Sequence, residues 1–230
     1  MTNGVTVDDM KAVRYELTGE YLTPAVAFVD GRSTPVWIQQ RWNDGPYAYY
    51  VRKNGCGHCC TAMAAVLHGI DLDPHREYEY CRKLWGSPKE EPNEKGQDHF
   101  LSLAGVVKVL NSLGISAVGY GVKDQGPKRA VDHICSMLEM GKLVIFTSDP
   151  DDYPDNPFSD GYHWVMAVGF AEDGRILVAN SSEKAASEGI QLVTPDVIEK
   201  ALFVQSTADM DLTWGELERL NNGCGYVVVG

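Results

Sequence analysis

Two glycines, Gly114 and Gly141, mark the same kind of joint at two places in the chain. Each follows a stretch with helical spacing of apolar residues and precedes a short apolar run: residues 100–113 lead into 115–120, and residues 130–140 lead into 143–147. Glycine tolerates the left-handed conformation that closes a helix, so each joint predicts a helix turning directly into a strand. Downstream the pattern changes. Residues 163–170 and 175–180 are apolar runs separated by Ala171-Glu172-Asp173-Gly174, which is a hairpin signal. Helices first and a meander-like sheet later predict an α+β fold rather than a repeating βαβ chain.

With 230 residues, the chain is long enough to bury about 70% of its unfolded surface. It contains no internal repeat, low-complexity tract or Gly/Ser linker, so a single domain over 1–230 is expected. Within it, 1–38 reads as an N-terminal decoration and 183–230 as a C-terminal extension of helix and strand. The decoration carries a predicted hairpin, residues 25–29 and 35–38 around Asp30-Gly31. Met63, Val66, Leu67 and Ile70 recur at helical spacing and predict a helix over 59–70. Further helices are expected over 195–202 and 214–220, and a last strand over 226–229. Residues 148–161, rich in Asp and Pro, read as a surface loop delivering the chain to His163.

Twenty basic residues against 32 acidic ones give a net charge of −12. That balance excludes nucleic acid and anionic membranes as expected partners. No basic segment followed by an apolar one opens the chain, and no run of about 18 apolar residues occurs, so no membrane insertion and a cytoplasmic location are expected. Six cysteines are too few for a disulfide scaffold, and the crowding of Cys56, Cys59 and Cys60 makes pairing awkward. Reduced thiols are expected.

The chemistry is concentrated in two places. The first is Asn54-Gly55-Cys56-Gly57-His58-Cys59-Cys60, immediately ahead of the predicted helix. Glycines flank Cys56, and a helix N-terminus favours thiolate over thiol, so a depressed pKa is expected there. Cys59 and Cys60 fit inside the helix as small buried hydrophobes. The second place is Gly161-Tyr162-His163-Trp164, with Asn180 at the end of the returning strand. A nucleophilic cysteine needs a base, and the base needs a partner to hold its tautomer. Cys56, His163 and Asn180 could fill those three roles. Taken singly, His163 reads as a satisfied strand histidine and Asn180 as a turn residue. A glycine bulge at the hairpin would shift its register by one, so the sequence leaves their relative placement open.

The order of a cysteine-bearing helix, a distant histidine strand and an asparagine at the strand end resembles papain-like cysteine peptidases. Gly55-Cys56-Gly57, the helix from Ala62 to Gly69, Gly141-Lys142-Leu143-Val144-Ile145 and Tyr162-His163-Trp164-Val165 more closely resemble stand-alone relatives of the bacteriocin leader (double-glycine) peptidases. This likeness runs from Gln39 to about Ser182. It implies a papain-like fold, with the nucleophile helix packed on an antiparallel sheet bearing His and Asn, and a peptide or amide substrate. It also implies Cys56 as nucleophile, His163 as base and then acid, Asn180 as orienter and Gln40 as oxyanion donor, with Gln39 and Asn54 as alternatives for that last role. No cofactor or metal is implied.

The chain departs from that family at Cys56-Gly57-His58-Cys59, which is also the active-site string of protein disulfide isomerases. A thioredoxin-like dithiol oxidoreductase is therefore a second reading. Against it, residues 48–54 are too polar for a buried strand feeding the motif, and 93–126 lack the expected proline. A catalytically silent peptide-binding module is a third reading, and acyl transfer to an acceptor other than water a fourth. Zinc at Cys56 and Cys59 with His68 or His163 lacks a second ligand pair at finger spacing. The acidic run from Asp149 to Asp155 lacks the features of an EF-hand; as a loop bordering a groove it would disfavour acidic peptides. His58, His75, His99 and His133 have no partner legible in the sequence, and Trp164 and Phe170 read as core residues.

Overall fold

Strands that are apolar on both faces need cover on both faces, and that condition organises the structure. The computed structural model describes residues 12–13, 25–29, 32–36, 51, 55–70, 72–84, 103–122, 125–148, 153–182, 190–202 and 225–230. Among them, β1 (Ala12–Val13), β2 (Ala25–Val29) and β3 (Arg32–Val36) form a three-stranded sheet. In the β2–β3 hairpin Val29 lies opposite Arg32, so its second strand begins earlier than the expected 35–38, while the expected turn at Asp30-Gly31 lies outside the described residues. The remaining elements are α1 (Cys56–Leu67), α2 (Pro74–Leu84), α3 (Leu103–Ser112), β4 (Ala117–Gly121), α4 (Pro127–Glu139), β5 (Leu143–Ser148), β6 (His163–Phe170), β7 (Ile176–Ala179), β8 (Ile190–Val193), α5 (Pro195–Ala201) and β9 (Gly225–Val229). The expected helix over 214–220 lies outside the described residues.

Strands β4 to β9 build one antiparallel sheet in the order β4-β9-β5-β6-β7-β8. The run β5 to β8 is the expected meander. The last strand is inserted between β4 and β5, with Val229 opposite both Ala117 and Leu143. On one face, Ile145, Trp164, Met166, Ala179 and Val227 pack with α1 and α3. On the other, Val144, Phe146, Val165, Val178 and Val228 pack with α4 and α5. Neighbouring residues of one strand thus belong to different cores, which explains why the strands read as unbroken apolar runs. Each fully buried large side chain, such as Trp164 or Phe146, contributes about 1.5–3 kcal/mol of burial.

The two glycine joints are as expected: Gly114 has φ 79° and Gly141 φ 75°, each just past a helix end. Sequence reasoning passed over α2. Its signal is Asp73-Pro74: Asp73 Oδ1 accepts from the backbone N–H groups of His75 at 2.8 Å and Arg76 at 3.0 Å, an N-cap followed by a proline at the first helical position. The segment 153–162 also departs from a plain surface loop, because Asn156 and Phe158 are buried and Phe158 joins the core beneath α4 and α5. No helix among the described residues is long and apolar enough to cross a membrane.

The layering makes α3 and β4 a sharp test. Leu110 is fully buried while Val118 is 51% exposed. Leu110→Ala is expected to cost about 2–5 kcal/mol and Val118→Ala less than about 0.5 kcal/mol. Urea unfolding of the two variants measures this, and equal losses would contradict the assigned faces.

Candidate active site

Helix α1 starts at Cys56 itself rather than at Cys59. Gly55 precedes it with no side-chain cap, donating its N–H to Val51 O at 2.9 Å and accepting from Cys59 N–H at 2.8 Å. A Cβ on Gly55 would lie 2.3 Å from Val51 O, so this entry into the helix requires glycine for close approach. The first ten residues of α1, Cys56 through Ala65, are all buried. Cys56 therefore sits at the helix end facing β6, and the Trp164 backbone N–H donates to its sulfur. The residue before Trp164 is His163.

The placement of His163 beside Asn180 depends on a bulge. Near the turn, Phe170 pairs with Ile176 and Gly169 with Leu177; then the register shifts, and Ala167 pairs with Val178 and Met166 with Ala179. Continuing the shifted register sets Asn180 across from Val165, on the face that His163 shares. Without the shift, Asn180 would fall across from Met166, on the opposite face. The bulge thus decides what the sequence left open, and His163 Nε2 lies 2.8 Å from Asn180 Oδ1.

Hydrogen bonds determine which way that contact runs. Asn180 Nδ2 donates to Phe158 O at 3.0 Å and to Gln191 Oε1 at 2.8 Å. Gln191 Nε2 in turn donates to Pro157 O at 2.8 Å, and Ser182 N–H donates to Asn180 Oδ1 at 2.8 Å. With the amide so oriented, Oδ1 can only accept, and His163 Nε2 must carry the hydrogen. In the neutral ring Nδ1 then bears the lone pair. Asn180 is both things the sequence offered: a turn residue, through Ser182, and a histidine partner. Gln191, Ser182 and the carbonyls of Pro157 and Phe158 were missed. Ser182 could have been found as the second residue after an Asn, and Gln191 as the polar position within the apolar strand β8.

Burial governs the electrostatics. Cys56 is 5% exposed and His163 4%. Desolvation pushes the Cys56 thiol up to about 11, against the lowering effect of backbone N–H groups of Trp164, Gly57 and Cys56. The expectation of a depressed pKa is therefore overturned: the helix end does favour thiolate, but loss of water outweighs it. Desolvation likewise lowers His163 to about 4, opposed by its bond to Asn180. Each group thus rests neutral, Cys56 as the thiol and His163 as the imidazole. Burial also raises Cys59 and Cys60 well above the usual thiol range, and both are wholly buried in the core that α1 forms with the sheet. Cys56, Cys59, Cys60, Cys81 and Cys135 are free thiols.

Gln40, Gln39 and Asn54 lie outside the described residues, as does His99. Phe170 and Trp164 both pack in the cores. His133 Nδ1 lies 2.6 Å from Tyr226 Oη, and His58 pairs with Glu77. His68 is exposed at the far end of α1.

No family model matches the chain, and no curated protein matches it. Among solved structures it is similar to a protein assigned as a C39-like peptidase from Bacillus anthracis, at 13% identity over 77% of this chain and 89% of that one, with a TM-score of 0.43. It is also similar to a double-glycine motif protease from an AMS/PCAT transporter, solved with its leader peptide, at 14% identity over 76% and 83%, with a TM-score of 0.36.

The depressed His163 pKa has a consequence for stability. An unfolded histidine titrates near 6.5 and the folded one near 4, so below pH 6.5 the unfolded chain binds the extra proton. His163 should therefore cost stability progressively as pH falls from 6.5 to 4, to a total of about 3 kcal/mol. Thermal unfolding of wild type and His163→Gln between pH 7 and 4 measures it. The wild type should lose more stability over this range than the variant, and parallel curves would contradict the assignment.

Proposed function

We propose that the chain is a cysteine peptidase or amide hydrolase in which Cys56 is the nucleophile, His163 the base and then acid, and Asn180 the residue that orients the ring. The observation that carries this reading is the amide network around Asn180. It holds the Nε2–H of His163 and so leaves Nδ1 as the proton acceptor, while Trp164 N–H ties the neighbouring backbone to the Cys56 sulfur.

The pKa directions define the order of events. At neutral pH no preformed ion pair waits in the site, so the Cys56 proton passes to His163 as sulfur attacks the carbonyl carbon. The charge that develops on the carbonyl oxygen is received by the Cys56 backbone N–H at the uncapped helix end, with Gln40 as the proposed second donor. His163 then returns the proton to the leaving amine, and the thioester is hydrolysed by water through the same base. Gln191 and Ser182 act through Asn180 as positioning residues. In this reading the acidic run from Asp149 to Asp155, as a loop bordering the groove, would disfavour acidic peptides.

The dithiol reading finds no favouring observation. Both Cys56 and Cys59 are buried, with their thiols pushed up rather than down.

A complex peptide pool incubated with the protein and read by mass spectrometry tests the proposal. Wild type is expected to generate new termini and Cys56→Ala none; His163→Ala should lower the rate by about 10²–10⁴-fold, and Gln191→Ala by less. The acid limb of the rate should fall near pH 4, where His163 gains its proton. Cleavage persisting in Cys56→Ala would sink the proposal, as would none by wild type.

A further inference from the structure

One buried cluster lies outside these roles. His58, on the turn of α1 next to Cys56, meets two residues of α2, Glu77 and Cys81, whose i, i+4 spacing places them on one helix face. His58 Nδ1 hydrogen-bonds Glu77 Oε2, and the Cys81 thiol donates to Glu77 Oε1 at 3.1 Å. One nitrogen, one carboxylate oxygen and one sulfur from these residues lie within 4.8 Å of one another.

We propose that His58, Glu77 and Cys81 form a binding site for a zinc-like divalent ion that clamps α1 to α2. Imidazole, carboxylate and thiolate are the donors zinc takes, at about 2.0–2.3 Å each. Donors on such a sphere stand about 3.5 Å apart, so the observed spread closes around an ion by small side-chain rotations. Charge argues the same way. Exposure is 1% at His58, 1% at Glu77 and 0% at Cys81, and buried charges must be paired or coordinated. A dication with one carboxylate, one thiolate and a neutral imidazole carries no net charge. Loading releases the Cys81 thiol proton to solvent, and a fourth, tetrahedral position is left to a water molecule. A thiolate is moreover a donor that a borderline-soft ion favours. This departs from the expectation that the chain takes no metal, because α2 was not legible beside the cysteine motif.

The test uses the full chain, equilibrated with Zn²⁺ or Co²⁺ and then dialysed. Elemental analysis should find about one zinc per chain, and the cobalt form should show a thiolate charge-transfer band. That band should be lost in Cys81→Ser and kept in Cys56→Ser. Should Cys81→Ser not fold, the wild type alone still decides: zinc must raise its melting temperature while magnesium does not. Failure to retain zinc, or a melting temperature indifferent to it, overturns the proposal. So does a band that survives in Cys81→Ser or vanishes in Cys56→Ser, the latter placing the ion at the proposed nucleophile instead.

Discussion

The one-residue bulge between β6 and β7 is the constraint on which the site depends. Side chains on a strand alternate between faces, so a slip of one residue exchanges every partner across the hairpin. The slip between Ala167 and Gly169 brings His163 and Asn180 to one face. The loop residues Pro157 and Phe158 and the strand residue Gln191 then lock the amide from two further directions. Each of these contacts presupposes the shifted register. A hairpin with ideal pairing would keep the same hydrophobic cover and lose the pair.

Burial sets the chemistry on top of that geometry. The free N–H groups at the start of α1 pull the thiol pKa down, as any helix end does, but the whole first half of the helix is sunk in the core. Desolvation is the larger effect, for sulfur and imidazole alike. The outcome is that each group rests neutral, Cys56 as the thiol and His163 as the imidazole.

Helix α1 joins these features. Its first turn carries Cys56 toward β6 and His58 toward α2, so one short segment couples the proposed nucleophile to the His58–Glu77–Cys81 cluster. Gly55 makes the segment possible, since a side chain there would strike the Val51 carbonyl. A clamp between α1 and α2 would therefore bear on where the sulfur stands without touching the reacting atoms.

Much of the architecture was legible in local pattern. The glycine joints at Gly114 and Gly141, the pairing of β2 with β3, strand β6 from His163 to Phe170 and the burial of Cys59 and Cys60 all follow from the conformational preferences of a few adjacent residues. So does the choice of Cys56, His163 and Asn180 as the residues to watch. Helix α2 was equally local, announced by Asp73-Pro74, but its charged surface hid it. Tertiary structure alone decided the rest: the insertion of β9 between β4 and β5, the hairpin register, the Gln191 and Phe158 contacts to Asn180, the meeting of His58 with Glu77, and the upward shift of the Cys56 pKa. Local preference is a property of neighbouring residues, whereas register, burial and the loss of water around a charge exist only once distant segments have packed together.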